Sequence, residues 1–380
     1  MKEVVRMYIP YGRQAIDEED IQAVVETLRS DYLTTGPKVV EFERGVAEYV
    51  GAKYAVAVSN GTAALHIACL AAGIKNEDEV ITTPITFAAS SNSVLYCGGK
   101  PVFADIDADT YNISPADIEK KITNKTKAII PVHHSGQPCN MEEITKIAKR
   151  HNLLVIEDAA HALGAKYKGK KIGSISDMTC FSFHPVKPIT TGEGGMVVTN
   201  DENLYQRLLL FRSHGITRDD NMMTENQGDW YYQQLELGYN YRITDISSSL
   251  GCSQLKRLDG FLKRRKEIAD YYNKEFAGIK GLQIPKQANG CNSGWHLYIL
   301  QFLTRDRRKV FDTLREAGIG VNVHYIPVYK HPYYQQHGYS DVSCVNAEKF
   351  YKNAVSLPIY PDLTEEQQRY VIQKVKECME

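Results

Sequence analysis

From about residue 53 to 200, short apolar and β-branched runs alternate with segments in which apolar positions recur every three or four residues. This is the pattern of a largely parallel sheet covered on both faces by helices. The spacing predicts strands at Tyr54–Val58, Glu79–Thr82, Pro101–Asp105, Ala128–Val132, Leu153–Glu157, Met178–Phe183 and Gly195–Thr199. Helical spacing falls between them at Thr62–Ala72, Ala88–Cys97, Pro115–Lys121 and Met141–His151. In open α/β sheets ligands sit beyond the carboxyl ends of strands, so the loops after these strands are where chemistry is to be sought.

After Thr199 the texture changes. Helical stretches near Glu202–Ser213 and Ile243–Tyr272 flank a polar, aromatic segment from Arg218 to Tyr241 that contains Trp230-Tyr231-Tyr232. A connection of that length in a compact protein is usually a functional loop or disordered, and the aromatic residues argue against disorder. A strand at Trp295–Leu303 and helices at Arg307–Ala317 and Thr364–Cys378 complete a smaller α+β lobe. The 380 residues are read as a large domain over 1–255 and a small C-terminal domain over 256–380, the N-terminal segment being free to pack on the latter.

Composition narrows the function classes. Hydrophobic residues make up 43% and charged residues 24%, ordinary for a globular protein. With 45 basic and 46 acidic side chains there is no global field to recruit nucleic acid or an anionic membrane, so a charged ligand must be held locally. The stretch Met1–Arg6 lacks the apolar core of a signal peptide, and no run of about 18 apolar residues occurs, which predicts a cytoplasmic protein. The 8 cysteines are scattered without a C-x-x-C pair and read as reduced and structural, with no metal site among them.

Three segments carry candidate chemistry. In Val56–Leu65 a strand passes through Ser59-Asn60-Gly61-Thr62-Ala63 into a helix, where free N–H groups and the helix dipole favour a phosphate; an ordinary turn capped by Ser59 or Asn60 reads the same way. In Leu153–His161 a strand ends in Glu157-Asp158, and Asp158 suits a protonated ring nitrogen, a helix cap or a magnesium ion. In Cys180–Gly195 Lys187 follows an apolar strand, lies between Pro185 and Pro188, and precedes a glycine-rich turn. Such a place desolvates an amine and leaves it able to form an imine, unless the lysine is structural. Ser182 is placed to donate to a phosphate. A phosphate-binding helix start, an aspartate on a strand edge and a lysine 29 residues later are together what pyridoxal 5'-phosphate (PLP) requires.

Here the chain resembles the DegT/StrS-type sugar-nucleotide aminotransferases, a branch of the fold type I PLP-dependent transferases, from about Ile9 to the C-terminus. The resemblance rests on Ser59–Leu65, Thr83-Pro84-Ile85-Thr86-Phe87, Glu157–His161, Phe183–Lys187 and Gly238–Asp245. It implies a seven-stranded, mostly parallel sheet in the large domain. It also implies that Lys187 forms the Schiff base, Asp158 pairs with the pyridine nitrogen, Thr62, Ala63 and Ser182 hold the phosphate, and Phe87 stacks on the ring. His161 lies near the ring or is satisfied by backbone. Asn240 reaches the phosphate of a neighbouring subunit, making a homodimer with shared sites, over which the aromatic loop closes.

Ile9–Gln14, Lys187–Gly195, His214–Asp219 and Val323–Tyr329 are similar to the branch that serves pseudaminic acid biosynthesis. That branch moves an amino group from L-glutamate, by way of pyridoxamine 5'-phosphate, to the C4 ketone of UDP-2-acetamido-2,6-dideoxy-β-L-arabino-hex-4-ulose. Tyr11, Arg218, His324 and Tyr325 are then substrate contacts, or else packing residues. Sister enzymes acting at C4 or C3 of other keto sugars share much of this pattern. A dehydrating branch carries His in place of the lysine, and a non-catalytic regulator of the same fold would lack the lysine or add a DNA-binding segment; this chain has Lys187 and no such segment. His133-His134 before Gly136-Gln137-Pro138 departs from the family pattern, and as neighbours on a strand they point to opposite faces.

Overall fold

A computed structural model describes residues 8–380, so the expectation for Met1–Arg6 lies outside the described residues. Seven strands form the main sheet: β1 (Tyr54–Val58), β2 (Glu79–Thr82), β3 (Lys100–Phe103), β4 (Thr126–Ile130), β5 (Leu154–Asp158), β6 (Met178–Ser182) and β7 (Gly195–Thr199). Their order is β1-β7-β6-β5-β4-β2-β3. The pairs β3/β2, β2/β4, β4/β5 and β5/β6 are parallel, while β7 runs antiparallel to both β6 and β1. The mostly parallel seven-stranded sheet expected from the sequence is therefore present. Nearly every residue of β1, β5, β6 and β7 is buried, as continuous apolar strands covered on both faces must be.

Some strand ends differ from expectation. The fourth strand occupies Thr126–Ile130 rather than Ala128–Val132. Pro131 has no N–H to continue the ladder, though its carbonyl still accepts from Asp158 N at 2.9 Å. Helices α1 (Glu18–Leu28), α2 (Pro37–Val50), α3 (Gly61–Ala71), α4 (Ala89–Tyr96), α5 (Pro115–Lys121), α6 (Met141–His151) and α7 (Glu202–Arg212) surround the sheet. One face packs an apolar cluster that includes Phe42, Val46, Ile144 and Phe181; the other includes Ala64, Ile67, Ile156 and Leu208.

Helix α8 (Asp245–Phe276) runs 32 residues from the large sheet into a second core. That core gathers Ile268, Tyr272, Tyr298, Leu300, Val310 and Val371 around a small antiparallel sheet of β8 (Leu282–Gln283), β9 (Tyr298–Phe302) and β10 (Ala354–Leu357). Ile9 is fully buried in the same core. Its N–H donates to the Gly318 carbonyl, which ties the chain at Ile9 to this core. The start of α8 performs two tasks. Thr244 caps α8 itself by accepting from Ser247 N at 3.1 Å. Asp245, buried, accepts from Gly36 N and Lys38 N at 2.7 and 2.8 Å and so caps α2. No helix among the described residues is long and apolar enough to cross a membrane, and all eight cysteines are free.

Candidate active site

A cavity of about 910 Å³ opens at the carboxyl ends of β5 and β6, where the architecture places ligands. Ten of the sequence-predicted residues line it: Tyr11, Thr62, Ala63, Phe87, Asp158, His161, Ser182, Lys187, His324 and Tyr325. Two do not. Arg218 lies on the exposed 218–241 segment with its guanidinium 5.7 Å from the Tyr232 ring, and Asn240 is exposed at the end of that segment. Ile216–Thr217 pairs with Gln233–Gln234 as a short ribbon, leaving Trp230 and Leu237 in solvent, each more than 70% exposed.

The floor of the cavity is the start of α3. Asn60 caps the helix by accepting from Ala63 N at 2.8 Å, so that N–H is spent. The N–H groups of Gly61 and Thr62 have no partner among the described residues. Ser182 closes over them: a Cβ added to Gly61 would stand 2.9 Å from Ser182 Cβ and 3.1 Å from its Oγ. Gly195 must also be small, since its Cβ would lie 2.3 Å from the Asn60 carbonyl oxygen. The result is a cradle of free donors at a helix N-terminus, ready for a phosphate.

Asp158 ends β5 with its side chain toward the cavity. One oxygen accepts from Ala160 N at 3.1 Å and the other from Ser90 Oγ at 2.6 Å. Glu157, one residue earlier, points to the opposite face. There it accepts from His133 Nε2 at 2.6 Å, from Thr179 at 2.9 Å and from Ser176. His133 Nδ1 accepts from Cys139 N at 3.0 Å, so its proton sits on Nε2. Burial pushes the Glu157 carboxyl up, but the bonds from His133 and the two hydroxyls outweigh it and leave the group below its ordinary value. His134 turns the other way, toward the His324 carbonyl.

Lys187 is half-buried at the cavity wall, and loss of water lowers its amine to about 8 against a partial restoration by the Asp158 charge. Around it stand four buried histidines. Burial holds His134 at about 4 and His324 at about 3, and it sets His161 and His296 well below the ordinary value, with the Lys187 charge adding to the effect in the last three. All four are neutral near pH 7. His161 and His296 lie with ring centroids 4.3 Å apart, and His161 Nε2 is 3.3 Å from the Tyr325 hydroxyl. Phe87 is 64% exposed, presenting its ring to the opening.

A model of the DegT/DnrJ/EryC1/StrS aminotransferase family matches residues 14–376. The chain belongs to this family. Its relatives include the spore coat polysaccharide biosynthesis protein SpsC of Bacillus subtilis, 44% identical over 98% of this chain and 97% of that one. The UDP-4-amino-4,6-dideoxy-N-acetyl-beta-L-altrosamine transaminase of Campylobacter jejuni is 41% identical over 96% and 95%. Among solved structures, the sugar aminotransferase Spr1654 of Streptococcus pneumoniae in its PMP-form superposes with a TM-score of 0.92 at 34% identity, covering 98% of this chain and 99% of that one. The DegT-family fold is the fold type I PLP-transferase fold, and this family member is a PLP-dependent sugar aminotransferase. The chain's own residues fit the cofactor: unpaired donors for its phosphate, a carboxylate for its ring nitrogen, an aromatic face and an amine of lowered basicity share one cavity.

Sequence reasoning missed Ser90, His296, Asn322 and Glu193. Ser90 meets Asp158 across 68 residues of chain, a separation at which no local spacing rule applies.

Proposed function

We propose that the enzyme transfers the amino group of L-glutamate to the C4 ketone of a UDP-linked 4-keto-6-deoxy-N-acetylhexosamine, the arabino-hex-4-ulose of pseudaminic acid biosynthesis. The observation that carries the chemistry is the convergence of Lys187, Asp158, Ser182 and the Gly61–Thr62 N–H groups in one cavity. The sugar rests on the likeness to the altrosamine transaminase. The lobes, divided near residues 255 and 256, close the cavity from two sides. When bound, PLP supplies an aldehyde for the amine and an electron-withdrawing ring.

The chain supplies the rest. Lys187 Nζ is the tether; freed from it, and neutral in a good fraction of molecules near pH 8, it takes a proton from the Cα of glutamate and returns one at C4 of the sugar. Asp158 holds the proton on the ring nitrogen. Gly61, Thr62 and Ser182 take the phosphate, with Ala63 at the same helix start, and Phe87 covers the ring. His161 and Tyr325 form a bonded pair at the wall and, with Tyr11 and His324, face the sugar. Neutral histidines give this wall hydrogen-bonding groups without adding positive charge beside Lys187.

Among the described residues Lys187 is the only lysine or arginine lining the cavity, whereas the proposed substrate brings a diphosphate. In the proposed homodimer Asn240, Arg218 and the exposed aromatic segment would serve the neighbour's cavity, because they do not reach their own.

The test is the absorption spectrum of the purified protein with PLP, before and after glutamate, for wild type and Lys187→Ala. A visible band that glutamate bleaches in the wild type alone supports the assignment; no band in the wild type refutes Lys187. Mass spectrometry of UDP-4-keto sugars offered to the glutamate-treated enzyme then decides the substrate. Amination only of a different keto sugar would overturn the sugar and keep the chemistry.

A further inference from the structure

Asp158 is held by a hydroxyl that none of the roles assigned above uses. Ser90, completely buried on α4, has a single proton and three acceptors in reach: Asp158 Oδ2 at 2.6 Å, Thr86 Oγ1 at 2.7 Å and the Phe87 carbonyl at 3.4 Å. The charged acceptor is also the nearest, so the proton goes to Asp158. Thr86, itself buried, must then donate into Ser90 Oγ. The five-residue turn from Thr86 to Ser90 carries Phe87 between its two hydroxyls. Helix α4 is fixed in turn by the small lobe: Ser91 and Tyr334 hydroxyls meet at 2.7 Å, and Tyr334 donates to Asn92 at 2.7 Å.

We propose that Ser90 is a positioning residue for the transamination, acting with Thr86 as a directed chain of hydroxyls, Thr86 to Ser90 to Asp158, that fixes the carboxylate's rotamer and charge opposite the ring nitrogen. This rests on the assignment of Asp158 to that nitrogen. A hydrogen bond donated to a carboxylate favours its charged form. The shared proton therefore stays on the ring nitrogen rather than moving to Asp158. Because the chain starts in the turn that presents Phe87, the residue on the ring's face and the residue at its edge move as one unit.

The test uses pyridoxamine 5'-phosphate labelled with nitrogen-15 in the ring, bound to wild type, Ser90→Ala, Thr86→Val and Asp158→Ala. This ligand needs no bond to Lys187, and its ring-nitrogen signal reports where the proton resides. The wild type is expected at the protonated position and Asp158→Ala at the unprotonated one. Ser90→Ala should move partway toward the latter, and Thr86→Val in the same direction by less. Loss of one charge-assisted bond should lower kcat in Ser90→Ala roughly tenfold, with KM for glutamate changing less than about twofold. If Ser90→Ala does not fold, the near-isosteric Thr86→Val decides the matter alone. Wild-type signals in both hydroxyl variants, with Asp158→Ala shifted, would overturn the proposal and leave the Asp158 assignment intact. An unshifted Asp158→Ala would overturn the assignment itself, and the proposal with it.

Discussion

Following the recombination of apo-enzyme with PLP as a function of pH tests the setting of Lys187 directly, because only the neutral amine attacks the aldehyde. With the amine at about 8, the neutral fraction rises from roughly 9% at pH 7 to roughly 91% at pH 9, about tenfold, and then levels off. A lysine left at its ordinary value would rise about a hundredfold over the same interval without a plateau. The assay is the growth of the visible band in stopped flow, with Lys187→Ala as the blank. Since the Asp158 charge raises the amine, Asp158→Asn should move the midpoint below about 8. The apo-protein carries the same signature in its stability. The folded-state value is below the unfolded one, so burying the charged amine costs about 3 kcal/mol below pH 8, and that cost is relieved as the pH rises from 8 toward 10.5. A recombination rate still climbing tenfold per pH unit beyond pH 9.5 would refute the desolvated setting of Lys187.

Other outcomes follow from the same geometry. Asp245→Ala strips the cap from α2 and leaves one buried and one part-buried N–H unpaired, so urea unfolding should show a loss of about 1–3 kcal/mol with the cavity residues unchanged. His133→Ala leaves the Glu157 carboxylate buried without its main partner and should destabilise by about 3–5 kcal/mol; thermal unfolding that matches the wild type would show that the pair does not hold the strands. Because the Glu157 carboxyl is held below its ordinary 4.5, its stabilising contribution is present above that pH and is lost as acid takes it through the lower folded value. Glu157→Gln should therefore unfold with a flatter acid profile than the wild type. His324→Gln removes a ring already neutral at pH 7, so binding of the sugar substrate should weaken without altering the pH midpoint of recombination by more than a few tenths.

Much of the large domain was legible because its strands are buried on both faces and their apolar runs are uninterrupted. Where one is cut, as at Pro131, the hydrogen-bond chemistry of proline moves the boundary. Lys187 and Asp158 could be singled out as candidates because Asp158 ends a strand and Lys187 follows one, each in a setting unsuited to a solvated charge. Arg218 and Asn240 could be named from family likeness, yet in a single chain they stay outside the cavity. Partners separated by long stretches of chain left no mark on local pattern: Ser90 with Asp158, His133 with Glu157, and Asp245 with the start of α2 each depend on tertiary packing. His134, His161 and His324 could be named but not placed, and His296 reads as an ordinary residue of the expected Trp295–Leu303 strand, which in the structure begins only at Tyr298.

Helix α8 gives the enzyme a mechanical backbone. At 32 residues it is about 48 Å long, and it is pinned at one end by Asp245 and midway by Arg265, whose guanidinium donates to the carbonyls of Trp295, His296 and Ile359. A strut so anchored carries load between the lobes instead of flexing like a hinge. In the proposed homodimer, substrate entry and product release would then fall to the neighbour's light, solvent-exposed 218–241 ribbon, and turnover should respond to the stiffness of that ribbon more than to any rearrangement of the two cores.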